Sequence, residues 1–240
     1  MNANKPYIIG LTGGIGCGKS EAAEYLRSLG AVHVDADAIS RALTTGDPET
    51  LDQIREQFGD GVFAPDGALD RAALAGIVFE SEPHRRALEK ILHPKIQSRV
   101  WSEIERAGAD GARVVVLDVP LLFETGMDVL CDETWTVTAG EETQLARVMA
   151  RGLTLEQAQA RIRSQMPAKE RNERATRVIN TDRSVESARG AERVVPADRA
   201  PRGKSGVTRK NLRRLILGAT RSNLEWSRPR DAGDQYRPLR

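Results

Sequence analysis

The stretch Gly13-Gly14-Ile15-Gly16-Cys17-Gly18-Lys19-Ser20 constrains the fold more than any other part of the chain. It has the spacing G-x-x-x-x-G-K-S, and its surroundings suit that pattern. "YIIGL" before it (Tyr7–Leu11) is a short apolar run that reads as a buried strand. After it, Ala22, Ala23, Leu26 and Leu29 recur at helical spacing, and Gly30 supplies a stop. "AVHV" (Ala31–Val34) then reads as a second strand ending at Asp35. Strand, glycine loop, helix and strand form the unit that builds a parallel sheet, with ligands at the carboxyl ends of the strands. The loop itself suits a phosphate chain, because backbone N–H groups at a helix N-terminus attract negative charge. Gly13, Gly16 and Gly18 let the backbone curl inward, Gly14 adds a further nucleotide-binding position, Lys19 reaches for the β- and γ-phosphates, and the Ser20 hydroxyl is placed for Mg²⁺. Cys17 is a small filler, since nothing nearby makes a Cys–His pair.

From about residue 38 to 107 the pattern is helical. Asp47-Pro48 and Asp70 read as helix starts, Gly59 as a stop, and Asp66-Gly67 as a turn. His93-Pro94 is expected to interrupt and kink the last of these helices. "RVVVLDVP" (Arg113–Pro120) suits a strand buried on both faces, and "TWTVT" (Thr134–Thr138) reads as another. A helix is predicted over 141–151 and a second from Thr154, where Thr154 and Gln157 have capping-box spacing, to about Gln165. "TRVIN" (Thr176–Asn180) reads as a last short strand. These limits give one domain over 1–200, with its core at 7–37, 108–140 and 172–195. A helical insertion is expected at about 38–107 and a lid at about 141–171.

Charge separates the end of the chain from the rest. Residues 198–240 hold 12 Lys/Arg against 4 Asp/Glu, so the net charge of +2 conceals a body of −6. A basic, disordered tail over 201–240 is expected, and with only Trp226 and Tyr236 to stack on bases it is a poor nucleic-acid binder. Two cysteines exclude a Cys-built zinc cluster and a disulfide scaffold. "MNANKPYIIGL" reaches glycine before a long apolar run forms, and no stretch approaches the roughly 20 apolar residues of a membrane span. A cytoplasmic protein with no membrane partner is expected.

Phosphoryl transfer to an alcohol benefits from a carboxylate that accepts the hydroxyl proton. Asp35 and Asp37 in "VDADAIS" leave the second strand beside the phosphate loop; one is expected to cap the next helix, and Asp35 is favoured as the base. Asp118 ends an apolar strand, where a carboxylate meets Mg²⁺ directly or through water. Glu124 follows it and reads as structural. Arg147 and Arg151 share a helix face, with Arg161 on the following helix, where a pair of helices closes over a migrating phosphoryl group. His33, His84 and His93 have no metal-ligand spacing and read as packing or solvated residues.

"GLTGGIGCGKS", "VDADAISR", "FGDGVFAPDGALDR", "LEKILHPKI", "DVPLLFETG" and "QLARVMAR", in this order, resemble the dephospho-CoA kinase family over about Ile8 to Ile179. The resemblance implies an α/β, P-loop NTPase-type three-layer fold with a parallel sheet, a helical substrate-binding insertion and a helical lid. It implies ATP, Mg²⁺ and dephospho-CoA as ligands, with transfer of the γ-phosphoryl group to the ribose 3′-hydroxyl in the last step of coenzyme A synthesis. Family roles would make Asp35 the general base and Lys19 a stabiliser of the phosphates. Ser20 would hold Mg²⁺, Arg147 would contact ATP from the lid, and Asp37, Arg41, His93 and Pro94 would lie near the acceptor.

The family pattern is departed from in three places. Glu21 stands where threonine is common after Ser20, so a carboxylate adjoins the phosphate site and must swing away from it. "ATRVINTDRS" lacks the aspartate and glycine of "ADxVIxNxG", and Asn180 takes the asparagine's place with a shift of one residue. The tail has no counterpart. Another nucleotide or small-molecule kinase and a non-catalytic nucleotide-binding protein are the alternatives. A GTP-dependent switch fits less well, since no N-K-x-D sequence is present.

Overall fold

Five consecutive apolar or strand-end residues, Val114–Asp118, are all buried, and this strand occupies an interior position in a five-stranded sheet. The computed structural model describes residues 5–182; the expectations for the basic tail and for the end of the last core segment lie outside the described residues. In chain order the elements are β1 (Tyr7–Gly13), α1 (Lys19–Ser28), β2 (Val32–Asp35), α2 (Ala36–Gly46), α3 (Pro48–Phe58), α4 (Arg71–Glu80), α5 (Glu82–Ala109), β3 (Val114–Asp118), β4 (Glu133–Thr138), α6 (Glu141–Met149), α7 (Leu155–Arg163), α8 (Ala168–Arg174) and β5 (Arg177–Asn180). The strand order is β2-β3-β1-β4-β5, and every pairing is parallel.

Alternation along the strands builds two cores. Ile9, Leu11 and Val116 face α1 and bury Ala22, Ala23 and Leu26, while Ile8, Val115 and Leu117 face the opposite way onto Val100 and Ile104 of α5. Helix, sheet and helix therefore form the three expected layers. The chain leaves β1 for β2 on one side of the sheet and later returns to β4 on the other. That reversal opens a crevice at the carboxyl ends of β1 and β3, where open parallel sheets place their ligands.

Local signals set most helix ends. Asp47 caps α3 through the Thr50 N–H with Pro48 at the first position, and Asp70 caps α4 through the N–H groups of Ala72 and Ala73. Thr154 and Gln157 make the reciprocal capping box at α7. Three features differ from expectation. Helix α2 begins at Ala36 directly after the strand rather than near Ala38. Helix α8 lacks a distinctive sequence pattern and was not foreseen. Helix α5 runs through Pro94 without interruption for 28 residues. Proline removes one backbone hydrogen bond there, but both halves are anchored: Leu88 and Ile91 pack on the small core of Ile54, Val62 and Leu74, while Ile96, Val100 and Ile104 pack beneath the sheet. Tertiary burial outweighs the lost bond. The same anchoring joins the helical insertion to the sheet, since α5 belongs to both cores.

Candidate active site

The loop between β1 and α1 has the backbone that its glycines predict. Gly16 and Gly18 have φ of 76° and 83°, a region L side chains avoid, and Gly18 directly precedes α1. A side chain at Gly16 would also strike the Gln144 carbonyl and Val148 of α6, so α6 is packed on the loop. Cys17 is buried there, with the Gln144 side-chain N–H against its Sγ, in keeping with a filler role.

Lys19, the first residue of α1, reaches back over the loop to form a short ion pair with Asp118 Oδ1 at the end of β3. Asp118 Oδ2 lies 3.2 Å from His33 Nε2, so His33 is neither solvated nor mere packing. Burial alone would raise the Asp118 carboxyl, but the His33 hydrogen bond and the Lys19 ammonium outweigh it and hold the group below the usual carboxylate range. The strand register sets Asp35 of β2 directly beside Asp118 of β3, on the same face. A carboxylate thus stands one strand away from the group that holds the loop lysine.

Asp35 and Asp37 divide their tasks. Asp35 is the N-cap of α2: its Oδ1 accepts the Ala38 N–H at 3.0 Å, and Oδ2 lies 3.7 Å from the Arg41 guanidinium. Asp37 makes no cap. Burial of its carboxyl and then the charge of Asp35 raise its pKa above the usual value, against the opposing pull of Lys19 and Arg41. Asp37 also lines a cleft with Ser40, His93, Gln97, Pro120 and Thr125. At about 120 Å³ the cleft is well below the roughly 300 Å³ that encloses a drug-sized ligand. His93 therefore shares this cleft with Asp37, whereas Pro94, Asp35 and Asp118 are not among the lining residues.

On the other side of the loop, Arg147 of α6 bonds inward. Its guanidinium donates to the Gly16 carbonyl at 3.2 Å, to Thr181 Oγ1 at 2.9 Å and to the Thr181 carbonyl at 3.0 Å. Thr181 Oγ1 in turn donates to the Cys17 carbonyl. The residue after β5 that touches the loop is thus Thr181. Asn180 is exposed, and its side-chain carbonyl accepts the Asp182 N–H. The motif "ADxVIxNxG" read without a shift falls on Thr181, and that reading was the available signal. Glu21 is exposed, with its Oε2 on the Gly18 side of the loop, 3.4 Å from where a Cβ would project. Glu124, Arg151 and Arg161 are exposed.

Sequence reasoning missed Gln165 and Arg171. Gln165 Oε1 accepts the Ile15 N–H at 2.8 Å. Arg171 of α8 is only 4% exposed and lies against Gly14: a Cβ on that glycine would come within 2.9 Å of its terminal nitrogen. Its Nε is buried without a partner, a cost of about 1–3 kcal/mol.

A family model described as dephospho-CoA kinase matches residues 7–187. A dephospho-CoA kinase from Symbiobacterium thermophilum is 46% identical over 200 residues, covering 83% of each chain. Among solved structures, TT1252 from Thermus thermophilus is 39% identical with a TM-score of 0.68, over 77% of this chain and 93% of its own. Dephospho-CoA kinase from Campylobacter jejuni is 27% identical with a TM-score of 0.58, over 77% and 92% respectively.

Proposed function

The chain belongs to the dephospho-CoA kinase family, and from that membership we propose that it passes the γ-phosphoryl group of ATP to the ribose 3′-hydroxyl of dephospho-CoA. The observation that carries the chemistry is the alignment of Asp35 with Asp118 across β2 and β3, with Lys19 on Asp118. The acceptor hydroxyl enters between the two strand ends. Its oxygen forms the new bond to the γ-phosphorus while the bond to the bridging oxygen breaks, and that electron pair leaves with ADP. The hydroxyl proton moves to Asp35 Oδ2, because Oδ1 is engaged at the helix cap. Lys19 exchanges its carboxylate partner for phosphate oxygens. Arg147 keeps the loop in shape from α6, and Asp37, Arg41 and His93 line the acceptor side.

Magnesium belongs to the same proposal. Among the described residues no group of three or more His, Cys, Asp or Glu is arranged to hold a metal. This suits an ion that arrives on phosphate and keeps several waters, with Ser20 and Asp118 as its protein contacts. When bound, it would neutralise charge on the β- and γ-phosphate oxygens.

The second reading exchanges the two carboxylates. Burial raises the Asp37 carboxyl above its usual pKa, as a proton acceptor would need, and the paired Asn variants decide between the two. A panel of acceptors with labelled ATP tests the substrate: label is expected in dephospho-CoA, and label in AMP or a sugar with none in dephospho-CoA refutes the assignment.

A further inference from the structure

We propose that Arg171 is a phosphate-contacting residue, whose guanidinium binds the terminal phosphates of ATP at the Gly14–Ile15 edge of the loop. The inference rests on the ATP-dependent reading above and goes beyond it by naming a cation on the arm between α7 and β5. Arginine is seldom this deeply buried unless an anion accompanies it. Among the described residues Arg171 has no carboxylate partner; its hydrogen bond is from one terminal nitrogen to the Met166 carbonyl at 3.0 Å. Its Nε has none. The other cations around the loop are engaged, Lys19 with Asp118 and Arg147 with Gly16 and Thr181. Further along, Arg174 stacks over Phe123, and Arg177 at the start of β5 pairs with Glu133. Arg171 is thus a buried positive charge beside a loop built for anions.

The fit is close on both sides. Gly14 leaves the space that the guanidinium fills, and any side chain there would meet it. Six residues earlier, Gln165 places an amide oxygen on the Ile15 N–H, a donor of the kind that phosphate oxygens take in such loops. Residues 165–171 therefore approach two consecutive loop positions, one with an oxygen standing where phosphate oxygen would bind and one with a counter-charge. As the bond to the γ-phosphorus breaks, negative charge grows on the departing oxygens, and a fixed guanidinium in a water-poor site acts on it strongly.

Arg171→Met and Arg171→Lys in the full chain test this, with binding of Mg-ATP and of AMP measured by calorimetry and turnover measured with dephospho-CoA. Arg171→Met is expected to weaken ATP binding by about tenfold or more, to leave AMP within about twofold, and to lower kcat on the order of a hundredfold. Arg171→Lys keeps the charge without the planar fork and should fall between. Equal loss of ATP and AMP affinity, or unchanged ATP affinity and kcat in a folded variant, overturns the proposal. Should Arg171→Met fail to melt cooperatively, the ATP-to-AMP comparison in Arg171→Lys decides by the same criterion. Failure of the unaltered protein to phosphorylate dephospho-CoA removes the acceptor assignment and leaves that comparison intact.

Discussion

Replacing Asp35 by asparagine separates its two tasks. Oδ1 accepts the Ala38 N–H at 3.0 Å and so caps α2, and asparagine caps a helix about as well as aspartate. Oδ2 is 3.7 Å from an Arg41 side chain that is 58% exposed, and an open pair of that kind contributes at most about 1 kcal/mol. Asp35→Asn should therefore cost less than about 1 kcal/mol, or roughly 2–4 °C in Tm for a chain of this size. Asp35→Ala also loses the cap, at about 1 kcal/mol more. Turnover behaves otherwise. Neither variant retains a proton acceptor at Oδ2, so kcat should fall by about two to four powers of ten, equal to roughly 3–5.5 kcal/mol on the barrier. The assays are ADP release with dephospho-CoA at saturating Mg-ATP, ATP binding by calorimetry and thermal melting. Asparagine with turnover within tenfold of the unaltered protein removes Asp35 from the chemistry, and asparagine melting as low as alanine removes it from the cap.

Two further substitutions probe the neighbours. The Asp37 carboxyl has a raised pKa, so its ionisation disfavours the folded chain, and that penalty grows as pH rises through the folded value. Asp37→Asn should then raise Tm at pH 7, by no more than about 2 °C because the residue as a whole is solvent-exposed and its carboxyl only partly withdrawn from water, and the gain should vanish below about pH 4. If Asp35 is the base, the same variant keeps turnover within about tenfold; a drop comparable to that of Asp35→Asn shifts the role to Asp37. Glu21→Thr removes a carboxylate from the Gly18 side of the loop. It should tighten ATP severalfold, on the order of 1 kcal/mol, for a helix loss of a few tenths, and an unchanged Kd shows that Glu21 already turns away.

The parts of the fold legible in the sequence were those set by neighbours in the chain. The glycine loop, the strand–helix–strand unit around it and the caps at Asp47, Asp70 and Thr154 all depend on residues within a few positions of one another. Asp118 was legible as a strand-end carboxylate, but its contact with His33 was not, because it joins residues 85 apart and a single histidine has no pattern. Gln165 meets Ile15 across 150 positions and Thr181 meets Cys17 across 164. No local periodicity signals such a contact, and α8, which carries Arg171, has mostly charged residues without an apolar stripe. Pro94 misled for the converse reason: its local preference is to break a helix, and packing on two cores overrode it.

The proposed transfer requires a sugar alcohol to reach the gap between the strand ends that carry Asp35 and Asp118. Incubation with Mg-ATP and dephospho-CoA, followed by phosphorus NMR of the product, locates the new phosphate directly. A monoester on the ribose 3′-oxygen with one equivalent of ADP is the predicted result; ADP with free phosphate alone, or a phosphate at any other position, contradicts it.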